Sequence, residues 1–303
     1  MSASGGKKAI VAALLANSGI AIAKFVGFLI TRSSSMLAES VHSVADAGNQ
    51  GLLLLGQRQA RRKSDDDHPF GYGRARFFWA FVVALVLFAL GSLFALYEGI
   101  EKIRHPHEIE SVPVAIGILV LAIGLEIYSF RTAIVEANHV RGDEGWVSFI
   151  RHAKSPELPV VLLEDAGALF GLVLALAGVG LSLATGDPVW DAIGTLSIGV
   201  LLGVIAAVLA VEMRSLLIGE GASPADAALI RSAMEDASDV RRVIHLKTLY
   251  LGPDELLVAA KIEVTGVTVQ DVAAVINSTE ARIRAAVPTA RVIYLEPDVY
   301  HSS

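Results

Sequence analysis

The sequence predicts an α-helical membrane protein: six transmembrane helices followed by a small cytoplasmic α+β domain of αββαβ, ferredoxin-like order. Three observations carry this. Of the 303 residues, 53% are hydrophobic and only 18% charged, against roughly 45–50% and about 25% in soluble domains. Apolar runs near the ~20 residues needed to cross a bilayer core recur through the first two-thirds of the chain. From about Leu216 the composition changes to 12 acidic and 8 basic residues with no run long enough to span. The predicted division is therefore a membrane domain over 1–215 and a cytoplasmic domain over 216–303. The apolar composition excludes disorder. A net charge of −6 gives no reason to expect nucleic acid as a partner. With no cysteine, disulfides, Cys-zinc sites and thiol nucleophiles are excluded together.

Candidate spans are 9–31, 34–57, 77–97, 112–130, 157–185 and 192–213. The first is too long for a signal-peptide core and lacks a small-residue cleavage site, so it is read as a retained span. The second is the least apolar, carrying Glu39, His42, Asp46, Asn49, Gln50 and Gln57. Counting it gives an even number of spans and puts both termini on one side. Lys and Arg bias sets the orientation. With the N-terminus inside, 12 basic residues fall on the inner side and only Arg32, Lys102 and Arg104 on the outer. Both termini are expected in the cytoplasm, with the cell membrane as the expected location.

In the C-terminal region, Ser223 followed by Pro224 reads as a helix start. Two strand-like runs, VIHLKTLYLG and ELLVAAKIEV, flank a Gly252-Pro253-Asp254 turn. A helix pattern over Val269–Ala286 and a last strand, ARVIYLEP, complete the αββαβ order.

The chemistry lies in the second and fifth spans. Glu39, His42 and Asp46 follow an i, i+3, i+7 spacing and share one helix face. Ionisable groups at that depth cost at least ~2.5–3.5 kcal/mol each, so they should face water, each other or a cation. The alternative is a polar seam that glues helices, as Asn49 and Gln50 could do alone. In the fifth span Glu164 and Asp165 are adjacent and point ~100° apart. Gly167 and Ala168 allow a close helix approach beside Asp165. One imidazole and two or three carboxylates converging in an apolar bundle suit Zn²⁺, Fe²⁺, Mn²⁺ or Co²⁺. Their protons must leave when metal binds, so metal and proton occupancy compete. Lys24 and Glu126 are read as lying towards span ends, where side chains snorkel or pair.

Over nearly its whole length the chain resembles the cation diffusion facilitator family. The resemblance rests on HSVADAGNQ (42–50), DDDHPFGYGRARFFWAF (65–81), LLEDAGAL (162–169), GDPVWDAIG (186–194) and LLIGEGA (216–222), in the family's order. It implies a homodimeric exporter in the lipid bilayer that exchanges cytoplasmic divalent metal, zinc first, for protons. The metal is cargo, and no cofactor and no enzymatic activity are implied. Matched by motif, His42, Asp46 and Asp165 fall on transport-site positions. The family's zinc members commonly place His four residues before the fifth-span Asp; here that residue is Val161, with Glu164 as the candidate substitute ligand. The LLED wording resembles a distinct branch of the family. Asp65 matches a secondary metal position whose His partner is replaced by Tyr72. His245 matches one ligand of the cytoplasmic sites, and Leu295 stands where another ligand often does. The readings left open are a transport-inactive scaffold or regulatory subunit, and an exporter of Fe²⁺, Mn²⁺ or Co²⁺. The motifs of zinc proteases, serine hydrolases and phosphate loops are absent.

Overall fold

A computed structural model describes the backbone of residues 4–31, 34–105, 112–236, 239–265 and 268–300. Glu39 and His42 belong to a helix, but their side chains lie outside the described residues, as do His107, Glu108 and Glu110 entirely. Contacts divide the chain into two units, one of Met1–Arg58 with Arg76–Arg214, the other of Gln59–Ala75 with Ser215–Ser303.

The first unit is built from α1 (Ser4–Thr31), α2 (Ser34–Ala60), α3 (Ala75–Val86), α4 (Phe94–Arg104), α5 (Val112–Arg141), the short α6 (Trp146–His152), α7 (Glu157–Thr185) and α8 (Val189–Ile218). A π-helical turn, Leu87–Leu93, joins α3 to α4 in a single 30-residue rod. The rod stays helical because its apolar run leaves the backbone to satisfy its own polar groups. Among the described residues, five helical stretches are long and apolar enough to cross a membrane: Gly6–Ile30, Ala75–Arg104, Pro113–Arg141, Glu157–Thr185 and Val189–Ile218.

Small residues set the packing distances. A Cβ on Gly99 would lie 2.7 Å from Leu196, and one on Gly199 would lie 2.8 Å from Leu96, so α4 and α8 cross almost backbone to backbone. At the π-helical turn the Ser92 hydroxyl donates to the Gly199 carbonyl at 2.8 Å. Gly167 does what its position in α7 predicts, since a Cβ there would lie 2.6 Å from Ile205.

Polarity in α2 is one-sided. Ser40, Ser43, Asn49, Gln50 and Gln57 are buried with Leu53, while Val44 is exposed. These described residues turn polar groups inwards and an apolar residue outwards, the reverse of a helix on the surface of a soluble protein.

The second unit carries α9 (Pro224–Glu235), β1 (Val240–Gly252), β2 (Glu255–Val264), α10 (Val269–Ala286) and β3 (Ala290–Pro297). The strands lie in the order β1-β2-β3, with β1 antiparallel and β3 parallel to β2. The expected cap at Ser223 is present, and the structure adds one at Thr268. Ser223 accepts from the Asp226 N–H at 3.0 Å, and Thr268 and Asp271 form a reciprocal capping box at α10. Alternation along β2 turns Leu256, Val258, Ala260 and Ile262 into a core with Ile230, Met234 and Ile283. The 59–75 segment joins this unit through a backbone contact: a Cβ on Gly73 would stand 2.6 Å from the Leu251 carbonyl oxygen.

Candidate metal transport site

Asp165 and Glu164 sit in the third turn of α7 and are both buried, 1% and 5% exposed. Adjacent residues diverge on a helix, and here they meet different neighbours. The Ser129 hydroxyl of α5 donates to Asp165 Oδ2 at 2.6 Å. Glu164 is held by α2: Asn49 Nδ2 donates to Oε1 and Gln50 Nε2 to Oε2, each at 2.8 Å. Asn17 of α1 donates to Gln50 Oε1 at 3.3 Å, which carries the network across three helices. Asn49 and Gln50 therefore do more than glue helices, because they orient a carboxylate inside the bundle.

Asp46, one turn before Asn49, is half-buried and interacts electrostatically with Glu164. Val161 is fully buried one turn before Asp165, so the position from which an imidazole could reach the same face is apolar. Among the described residues, no group of three His, Asp or Glu side chains stands in metal-holding geometry. The set read from sequence also includes His42, whose side chain is outside the description.

Two features of this region escaped the sequence reading. Glu126 is not near a span end. The helix predicted over 112–130 continues to Arg141, which puts Glu126 at its middle and 3% exposed. It interacts electrostatically with Asp165, Asp46 and Lys24. The available signal was periodic: Ala122, Glu126, Ser129, Ala133 and Ala137 are small or polar at three- and four-residue steps, and all are buried. The second feature is a buried ion pair between Arg76, at the start of α3, and Glu157, which opens α7. The guanidinium donates through Nε to Oε1 and through Nη2 to Oε2, the latter at 2.8 Å, and also reaches Ser155 Oγ at 3.1 Å.

The peripheral candidates are placed differently. Asp65 is exposed, and its carboxylate accepts from the Tyr72 hydroxyl at 2.6 Å and from the His68 backbone N–H at 2.8 Å. The Tyr72 bond is the main cause holding the Asp65 carboxyl below the usual carboxylate range; burial opposes it, and His68 adds to it. Asp65 thus closes a turn in the 59–75 segment. His245 lines a cavity of about 370 Å³ with Tyr294, Leu295 and Glu296.

Residues 10–218, more than half of the chain, match the family described as the cation efflux transmembrane domain. The chain belongs to the cation diffusion facilitator family. It is accordingly an integral, multi-pass membrane protein of a transporter family. It is 31% identical to "Proton-coupled zinc antiporter SLC30A9, mitochondrial" of Xenopus laevis over 86% of this chain and 47% of that one. It is 31% identical to "Metal tolerance protein C4" of Arabidopsis thaliana, over 86% of this chain and 57% of the relative. With "Magnetosome protein MamB" of Paramagnetospirillum magneticum the identity is 24%, over 88% and 85%. The chain thus spans about half the length of the first two relatives. Within this cation diffusion facilitator, the buried carboxylates lie inside the part that matches the transmembrane domain.

Proposed function

We propose that the protein exports divalent metal cations, zinc first, from the cytoplasm in exchange for protons. The observation that carries the reading is the burial of Glu164 and Asp165 in an apolar bundle, with Glu164 in electrostatic range of Asp46. A membrane helix keeps such groups where a charged substrate passes. The printed names of two relatives, a proton-coupled zinc antiporter and a metal tolerance protein, support the class of substrate and the coupling.

In this reading α2 is the sixth span, since its polar face turns inwards. His42, Asp46 and Asp165 take the cation from the cytoplasmic side, and Glu164 adds its charge beside them. Protons replace the cation on the other side, because a carboxylate that holds a metal must first lose its proton. Rocking of the helices that carry the site against the others would alternate its access. The protein acts as a homodimer in the cell membrane, both termini are cytoplasmic, and the C-terminal unit is a ferredoxin-like cytoplasmic domain. Asp65 on the 59–75 segment is the proposed secondary metal position.

The test is zinc titration of the purified full-length protein in weak buffer. One high-affinity ion per protomer with stoichiometric proton release is expected. Binding without proton release would contradict proton exchange, and no high-affinity binding would favour the scaffold reading. Glu164→Gln puts an amide where Asn49 and Gln50 both need an acceptor. It should weaken zinc binding by roughly 10–100-fold, the scale of outer-shell metal partners. Unchanged affinity would leave Glu164 a packing role only.

A further inference from the structure

At the end of the first unit where α1 begins, the Arg76–Glu157 pair is the outermost of three layers stacked along the helices. Glu157, Val161 and Glu164 share one face of α7 at an i, i+4, i+7 spacing, and all are buried. Gln57, Leu53 and Gln50 run the opposite way along α2 at matching steps and are buried too. Two contacts set the register. The Gln50 amide donates to Glu164 at 2.8 Å. A Cβ on Gly6 of α1 would lie 3.7 Å from Glu157 Cβ and 3.8 Å from Gln57 Nε2. Seven residues on each helix, ~10 Å, therefore separate a polar layer at Glu164 from another at Glu157, with Leu53 and Val161 between. α1 follows the same plan. Ile10 and Ala13, both fully buried, lie between Gly6 and Asn17, and Asn17 bonds Gln50 in the inner layer.

A cation bound for Glu164 and Asp165 from this end meets the outer layer first, and finds its carboxylate already taken. Arg76 of α3 holds both oxygens of Glu157, and its side chain is only 10% exposed. Two other ion pairs at this end, Lys8–Glu136 and Arg151–Glu212, leave their basic side chains 69% and 67% exposed. Halving a buried pair strands a charge, but parting it into water rehydrates both ions and offsets their lost attraction. Such a pair suits a joint with a closed and an open position.

We propose that Arg76 and Glu157 form the gate on the cytoplasmic side of the transport path. With the apolar layer of Leu53 and Val161 behind them they shut the site, and their separation admits the cation. The proposal deepens the transport reading above and rests on it. Once parted from Arg76, Glu157 offers the incoming cation a carboxylate on the same helix face as Glu164.

The chain has no cysteine, so Leu53→Cys gives the full-length protein a single thiol in the apolar layer. In sealed vesicles, a charged, membrane-impermeant thiol reagent supplied on the face that carries the termini should label it slowly. Glu157→Gln in that background should raise the labelling rate roughly tenfold or more, the factor expected when a charged hydrogen bond no longer holds the closed state. Glu157→Asp keeps the charge and should stay near the starting rate. Ala122→Cys, buried on α5 seven residues beyond Ser129, should stay slow in every background. An unchanged rate at Leu53→Cys in Glu157→Gln would overturn the proposal. So would equal acceleration at both thiols, which marks a loosened bundle rather than an opened gate. If Glu157→Gln does not fold, Arg76→Lys keeps the charge but loses the two-pronged fit; an unchanged rate there overturns the proposal equally. Zinc-driven proton movement in wild-type vesicles separates the two levels of the argument. Exchange without the labelling change removes the gate alone; no exchange removes the transport reading and the gate with it.

Discussion

Asp165→Asn is expected to lower zinc affinity at least 100-fold while leaving the unfolding midpoint almost unchanged. The amide has nearly the shape of the carboxylate, and its oxygen can still accept from Ser129, which now bonds Oδ2 at 2.6 Å. What is lost is one negative charge and one anionic donor in a water-poor site. Loss of an outer-shell metal partner already costs 10–100-fold, so a directly bound carboxylate should cost more. Zinc titration and thermal unfolding of the same preparation check both halves. A large fall in the midpoint would mean that Asp165 acts through packing, and that the carboxylate belongs to the fold rather than to the cargo.

Glu157→Ala should have the largest effect on stability, a loss of about 3–5 kcal/mol. Glu157 is 1% exposed and accepts both forks of the Arg76 guanidinium, so truncating it removes the carboxylate from a largely buried ion pair at the junction of α3 and α7. Ser155 Oγ remains to Arg76, but a hydroxyl does not replace a carboxylate. The apolar pair Arg76→Met with Glu157→Leu should lie much nearer wild type, because it removes both charges rather than one. Unfolding of the full-length protein in detergent, followed for the single and double variants, is the measurement. If Glu157→Ala unfolds like wild type, the pair is dispensable and contributes nothing to holding these helices.

Much of this architecture was readable because one physical signal dominates each part. The bilayer requirement makes 77–97 or 157–185 unmistakable as long apolar runs. The αββαβ order followed from the strand-like runs, the Gly252-Pro253-Asp254 turn, the helix start at Ser223 and the helix pattern over Val269–Ala286. Average hydropathy fails for α2, which buries Ser40, Ser43, Asn49, Gln50 and Gln57, and parity of the spans had to argue for it instead. It fails also for α5, where the apolar run ends near Phe130 but the helix goes on to Arg141. That difference moved Glu126 from an apparent end to the middle. Which helix satisfies which polar group depends on the rotation of each helix against its neighbours. No periodicity within one helix reports that rotation, so Asn49 and Gln50 could be read as glue but not assigned to Glu164. The Arg76–Glu157 fork and the contact of Gly73 with Leu251 were hidden for the same reason, since each joins distant segments.

The proposed function is an exchange of a divalent cation for protons at buried carboxylates of the membrane bundle. Its most direct measurement is metal-driven proton movement in sealed proteoliposomes loaded with a pH indicator. With the wild-type protein, an imposed zinc gradient should drive opposite proton flux, and an imposed proton gradient should drive zinc uphill; Asp165→Asn, inserted in equal amount, should do neither. Zinc movement that ignores the proton gradient, or coupled exchange that survives Asp165→Asn, would contradict the account.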